Sequence, residues 1–194
     1  MHAIYLADKA AALFWLQEEL PAGATVTHGG SMTLGQIGII DLLKSGKYRY
    51  LDRTVDAEGV YQKTVSADYY LTSANAITET GTLYNVDGNS NRVSAISFGP
   101  KKVLVFAGIN KIVPTLEDAV KRVKTVAAPL NAKRLNCNTY CAQKGACVSL
   151  LKEHPQMTDG CDSEQRICCN YLVSARQRTA DRITVILIGE FLGY

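Results

Sequence analysis

The sequence predicts an α/β protein with a mostly parallel sheet and helices on both of its faces. Three observations lead there. Short apolar runs of strand length alternate along the chain with segments of helical period. The last of these runs, Arg182-Ile-Thr-Val-Ile-Leu-Ile188, is almost continuously apolar, the form of a central parallel strand buried on both faces. The chain has 194 residues, 47% hydrophobic and 20% charged, enough for one sizeable soluble domain. It reads as a single domain over 1–194, with a cysteine-rich segment at 131–170 inserted before the last strand.

The elements follow in order. Residues 2–6 read as a strand at the very start, so an earlier helix is expected ahead of Met1. Asp8 is an N-cap; Ala12, Leu13, Leu16 and Leu20 recur at helical spacing behind it, with Trp15 at the margin of the buried face. Pro21-Ala-Gly23 stops that helix. A strand at 24–27 leads into His28-Gly29-Gly30-Ser31. Thr33-Leu-Gly-Gln36 has the form of a capping box opening the next helix, which Gly46 ends. Residues 48–51 read as a strand and 56–63 as a short helix. Strands are predicted at 69–72, 82–86, 93–97 and 103–106, with Asp87-Gly88-Asn89 as turn chemistry between two of them. Thr115 caps a helix with acidic residues in its first turn. Its apolar face is Leu116, Ala119, Val120, Val123 and Ala127, and Pro129 ends it. Lys121-Arg122-Val123-Lys124 fits the solvated face of that helix.

Bulk properties exclude several classes. A net charge of +3 and the lack of a basic, aromatic-rich stretch argue against a nucleic-acid partner. No apolar run approaches bilayer length, and the N-terminus lacks the parts of a signal peptide. A cytoplasmic protein is expected, without a membrane partner.

Three groups of residues can carry chemistry. His28, Gly29, Gly30 and Ser31 lie between a strand and a helix, where free backbone N–H groups and a hydroxyl can hold an anion; a plain tight turn explains the same glycines. Glu79 stands among small neighbours in Ala76-Ile-Thr-Glu-Thr-Gly-Thr82, either as a working carboxylate or as a structural anchor. Asn75, Thr80, Gly81, Asn89, Asn91 and Arg92 are its expected neighbours, with Arg92 able to clamp a carboxylate through two parallel bonds. Finally, all six cysteines fall between Cys137 and Cys169. Clustered thiols in a reducing compartment favour zinc or an iron–sulfur cluster over disulfides.

Four ordered segments resemble one family. They are Gly29-Gly-Ser-Met-Thr-Leu-Gly-Gln-Ile-Gly38, Leu71-Thr-Ser-Ala-Asn-Ala-Ile-Thr-Glu-Thr-Gly-Thr-Leu83, Gly88-Asn-Ser-Asn-Arg-Val93, and Phe98-Gly-Pro-Lys-Lys-Val-Leu-Val-Phe-Ala-Gly-Ile-Asn-Lys-Ile-Val113. Together they resemble the lactate-utilisation (LUD) domain proteins, in particular their short stand-alone bacterial branch. The resemblance implies a fold similar to ribose-5-phosphate isomerase and the CoA-transferases, and a place in organic-acid metabolism. Cys141-Ala-Gln-Lys-Gly-Ala-Cys147 and Cys161-Asp-Ser-Glu-Gln-Arg-Ile-Cys168 are similar to the cysteine-bearing tail of that branch. This makes Cys141, Cys147, Cys161 and Cys168 the best four ligands, with Cys137 and Cys169 spare. Two functions follow as expectations. The first is a redox accessory that binds a small anionic metabolite and a cluster or zinc, working with redox partner proteins or a second copy of itself. The second is an enzyme of the CoA-transferase or sugar-phosphate isomerase type, because Glu79-Thr80-Gly81 resembles the Glu-x-Gly in which a glutamate acts as nucleophile.

Overall fold

The computed structural model describes residues 1–56 and 59–194. Its contacts divide the chain into two compact units. The first holds Met1–Ala74, Ser94–Asn110 and Arg176–Gly193; the second holds Asn75–Val93, Lys111–Ala175 and Tyr194.

The first unit is built on a six-stranded sheet. Its strands are β1 (His2–Leu6), β2 (Thr25–His28), β3 (Arg49–Tyr50), β4 (Tyr69–Thr72), β7 (Lys102–Gly108) and β10 (Ile183–Ile188), in the order β1-β10-β7-β4-β2-β3. Every pairing is parallel, and β10 lies between two neighbours as its apolar run requires. Leu71, Leu104, Phe106, Ile186 and Ile188 pack with the buried residues of three helices: α1 (Lys9–Glu19), α2 (Met32–Ile37) and α3 (Ile39–Leu43). Residues of the opposite parity, Val103, Val105, Ala107 and Val185, are buried too, so both faces of the sheet are covered, as expected for parallel strands. Asp8 caps α1 by accepting a 2.8 Å bond from the Ala11 N–H.

Several expectations for this unit need correction. The cap of α2 is Ser31, whose hydroxyl accepts from the Leu34 N–H at 3.3 Å. Thr33 is therefore inside the helix and donates instead to the Leu192 carbonyl, while the Gln36 amide oxygen accepts from the Gly193 N–H. Gly38, at φ +88°, divides what reads as one helix into α2 and α3, and α3 stops at Leu43, ahead of Gly46. The expected helix at 56–63 is found as α4 (Gly59–Thr64); Ala57 and Glu58 lie outside the described residues.

The second unit has a four-stranded sheet that the sequence reading did not foresee. Its strands are β5 (Ala76–Thr78), β6 (Leu83–Asp87), β8 (Ile112–Val113) and β9 (Asn170–Ser174), in the order β8-β5-β6-β9. Only the β5–β8 pair is parallel; β6 runs antiparallel to both neighbours. Ala76, Tyr84, Val86, Ala119 and Val123 form its core, the last two from the helical segment that follows β8.

That segment is α6 (Leu116–Arg122), opened by a complete Thr115/Asp118 capping box. Pro129 does not end the helix as expected. A π turn over Val123–Ala127 comes first, with the Ala128 N–H reaching the Val123 carbonyl, and Pro129 then sits in the first turn of α7 (Ala128–Arg134). Proline has no N–H to donate, so the wider turn and a new first turn are how the chain accommodates it. The segment at 93–97 is not a strand either. It belongs to α5 (Asn91–Ser97). The Asp87 carboxylate accepts from the Arg92 and Val93 N–H groups at 2.8 and 3.3 Å, capping that helix from the end of β6. Among the described residues no helix is long and apolar enough to cross a membrane.

Candidate functional site

The cysteine-rich segment belongs wholly to the second unit and joins α7 to β9. Four local devices place its thiols. Cys141 lies in the short helix α8 (Tyr140–Lys144), which Thr139 caps and Gly145 closes at φ +77°. Cys147 is the residue before a 3₁₀ turn, Val148–Leu151. Cys161 lies in the loop that follows, and Cys168 stands two residues ahead of β9.

These four, the same four expected as ligands, line one cavity with Tyr84 and Lys124. The cavity is partly open to solvent. Cys137 and Cys169 are not among its walls. All six cysteines are free thiols. Burial raises the Cys141 pKa, and Cys161, Cys168 and Cys147 push it the same way; the Thr139 hydroxyl, 3.4 Å away, opposes them. Among the described residues, no group of three or more His, Cys, Asp or Glu side chains is drawn close enough to hold a single metal ion. The four thiols surround a space; they do not converge on a point.

Two cations are built into this region. Lys124 is only 6% exposed, contrary to the solvated face expected of it. Its ammonium donates to Ser149 Oγ at 2.8 Å and to the carbonyls of Gln156 and Asp159 at 2.6 and 3.2 Å, so it ties the π turn to the loop that carries Cys161. Ser149 in turn lies 3.2 Å from Cys147 Sγ. Arg166 donates Nε–H to Cys168 Sγ at 3.3 Å and to the Cys168 carbonyl at 3.0 Å, and bonds the Thr158 carbonyl and Tyr171 hydroxyl. A Cβ on Gly160 would stand 2.5 Å from Arg166 Cζ, so a side chain there would displace the guanidinium. Sequence reasoning missed both cations. The signal available was the position of Lys124 next to Val123, on the apolar side of a helix.

The other expected site residues fall in two places. His28 ends β2 in the first unit. Its Nδ1–H donates to the Gly29 carbonyl at 2.8 Å, and Nε2 accepts from the Tyr50 hydroxyl at 2.8 Å. Burial lowers its pKa, the Gly29 carbonyl bond resisting. Both ring nitrogens are thus engaged, and the Ser31 hydroxyl is engaged by the Leu34 N–H. A Cβ on Gly30 would press 2.9 Å from an Arg53 nitrogen.

The remainder lie in the second unit. Glu79 sits in the tight turn from β5 to β6, exposed to solvent; its N–H donates to the Val113 carbonyl. Among the described residues its carboxylate takes neither a hydrogen bond nor an ion pair. Thr80 and Gly81 complete the turn, Thr80 through a 2.8 Å hydroxyl bond with Thr78 and Gly81 through φ +85°. Asn89 is exposed, with its N–H on the Asp87 carboxylate, and Asn91 begins α5. Asn75 and Arg92, expected as neighbours of Glu79, bond each other: Arg92 Nη2 donates to Asn75 Oδ1 at 2.6 Å.

The class of the molecule is therefore an α/β protein with a mainly parallel central sheet and a thiol-lined cavity in a separate compact unit. A family model described as the LUD domain matches residues 1–188, and the chain belongs to the LUD domain family, which suggests a role related to lactate utilisation. It is similar to the crystal structure of a DUF162 family protein from Deinococcus radiodurans, with a TM-score of 0.51 and 14% sequence identity, over 97% of this chain and 88% of that one. At that identity the likeness speaks for the fold alone. A comparison with curated proteins finds no match.

Proposed function

We propose that this LUD-family protein is a redox accessory of organic-acid oxidation that holds an iron–sulfur cluster on Cys141, Cys147, Cys161 and Cys168 and binds a small anionic metabolite elsewhere on the chain. One observation carries the reading: these four thiols line one cavity. A single zinc ion needs four ligands within bonding distance of one point, and no such convergence exists among the described residues. An iron–sulfur cluster takes four thiolates spread around its own volume, so four thiols lining one space favour it over a single ion. The cluster supplies one-electron transfer when bound. The chain's own contributions are the thiols, an apolar wall from Val120, Val123 and Met157 that limits water, and the positive charges of Lys124 and Arg166 beside the sulfurs.

Two further elements belong to this proposal: the likeness of the fold to the ribose-5-phosphate isomerase and CoA-transferase group, and electron exchange with partner proteins or a second copy. The enzymatic alternative, with Glu79 as nucleophile or base, has less support. An exposed carboxylate without a partner lacks the surroundings that tune such groups.

The experiment is anaerobic purification followed by iron, acid-labile sulfide and zinc analysis, with a visible spectrum. Iron and sulfide in equal amounts, lost in Cys161→Ser and Cys168→Ser, are expected. Metal-free protein that also refuses reconstitution with iron and sulfide would overturn the cluster.

A further inference from the structure

Three of the four cavity sulfurs carry a hydrogen-bonding neighbour of their own. The Thr139 hydroxyl stands 3.4 Å from Cys141 Sγ, the Ser149 hydroxyl 3.2 Å from Cys147 Sγ, and Arg166 Nε 3.3 Å from Cys168 Sγ. Each neighbour is two residues from its cysteine, in Thr139-x-Cys141, Cys147-x-Ser149 and Arg166-x-Cys168.

The direction of these bonds follows from the other partners. Ser149 Oγ accepts from the Lys124 ammonium at 2.8 Å, and Thr139 Oγ1 accepts from the Ala142 N–H at 3.3 Å. Each hydroxyl thus takes a proton on one side and has its own to give on the other, where the sulfur lies. The guanidinium Nε–H can only donate. A thiolate bound to iron has no proton left to offer, so all three contacts then run toward sulfur. Thr139 and Ser149 are 2% and 1% exposed. In so dry a setting a hydrogen bond acts with more force than in water.

Cys161 is the exception. Among the described residues no donor reaches its sulfur. The side chains at the same spacing are turned elsewhere. The Ser163 hydroxyl donates to the Asn138 carbonyl at 2.7 Å, and the Asp159 carboxylate accepts from the Gln156 N–H and pairs with Lys152.

We infer that Thr139, Ser149 and Arg166 are positioning residues that raise the reduction potential of the cluster proposed for this cavity and make it an electron acceptor. The inference rests on the cluster reading. Reduction adds one electron, and with it one negative charge, to the thiolate-bound centre. Donors aimed at three sulfurs, with the Lys124 ammonium behind Ser149, favour the more negative form. The electron comes from a reduced one-electron partner protein, which is oxidised as the cavity is reduced. No bond in the chain forms or breaks, and no proton is needed. The chain therefore stands on the receiving side of an oxidation and is not a source of strongly reducing electrons.

The test is an anaerobic redox titration of the iron-loaded full chain, read by visible and electron paramagnetic resonance spectra. Ser149→Ala removes one hydroxyl and leaves Lys124 its two carbonyl acceptors. Arg166→Lys keeps the positive charge and loses the Nε–H. Each variant should hold as much iron as the native chain, with its midpoint shifted to a more negative value. The double variant should shift further than either. Ser163→Ala is the control: its hydroxyl serves Asn138, so it should titrate as the native chain does. Iron-loaded variants that titrate at the native midpoint overturn the inference and leave the cluster standing. A Ser163→Ala shift as large as that of Ser149→Ala overturns it too, since it marks a general loosening of the segment. Should Arg166→Lys lose its iron, Ser149→Ala decides alone; loss from both makes these residues holders of the ligands and ends the tuning role. A native chain that takes up neither iron nor sulfide overturns both proposals, and iron analysis tells the two failures apart.

Discussion

Lys111 shows how a single residue escapes a reading of the sequence. In Gly108-Ile-Asn-Lys-Ile-Val113 a lysine between isoleucines reads as the exposed position of an irregular edge. In the structure it is the buried one. Burial, reinforced by Arg122 and Arg92, lowers its pKa to about 7. In the unfolded chain a lysine titrates near 10.4. Below pH 7 both states carry the proton and the buried charge exerts its full cost. Between about 7 and 10 the unfolded chain binds more protons, so stability rises with pH through this group. The expected slope is at most about 1.4 kcal/mol per pH unit. Urea unfolding of the native chain and of Lys111→Met, at pH 6.5 and pH 9, isolates it. The native chain should gain on the variant as pH rises, and equal pH slopes would count against the assignment. Arg92 and Asn75 were named from the sequence, but as neighbours of Glu79, and the structure bonds them to each other. The four cysteines that share the cavity were singled out in another way, by the resemblance of Cys141–Cys147 and Cys161–Cys168 to the family's cysteine-bearing tail. Lys124 was not, since its burial depends on acceptors at Ser149, Gln156 and Asp159, as many as 35 residues distant.

At the level of elements, local chemistry predicted what local chemistry decides. The Asp8 cap, the Thr115 cap and the strands at Tyr69–Thr72 and Ile183–Ile188 all stand where the pattern places them. The failures share a cause: a residue whose partner is not its nearest in sequence. Val93, Ala95 and Ser97 alternate as a strand would, yet α5 forms because Asp87 reaches forward to the Arg92 and Val93 N–H groups. What reads as a hairpin turn is thus a strand-to-helix turn, held by a carboxylate that a hairpin would not need. Asp87→Ala removes this cap and should destabilise the protein by about 1 kcal/mol, the usual loss for an N-cap. It should also loosen Arg92, whose backbone it anchors. Chemical denaturation measures the loss. A variant as stable as the native chain would mean the cap contributes nothing.

Over the whole molecule, the chain runs through the second unit at Asn75–Val93 and Lys111–Ala175, returns to the first unit after each, and places its last residue, Tyr194, in the second. Alternation of strands and helices made the parallel sheet of the first unit readable, because its register is fixed by continuous apolar runs. The second sheet was hidden: β5 has three residues and β8 two, too short for periodicity to speak. β9 follows the cysteine segment and pairs with β6 from Leu83–Ser174 to Asp87–Asn170. The cysteine segment is thus a closed excursion between α7 and a strand of its own unit, and Cys168, Met157 and Tyr171 pack against that unit's core. The first unit has a separate core of its own. Ligation of the four cysteines should therefore stiffen one unit and leave the other as it was, since local opening follows cooperative units of contact. Hydrogen exchange of iron-reconstituted protein against the Cys161→Ser, Cys168→Ser double variant reads this directly. Amides of β6, β9 and the loop around Lys124 should exchange faster in the variant, while those of β4, β7 and β10 keep their protection. Equal loss of protection in both sheets would show that the chain opens as one cooperative body and that the cavity stabilises all of it.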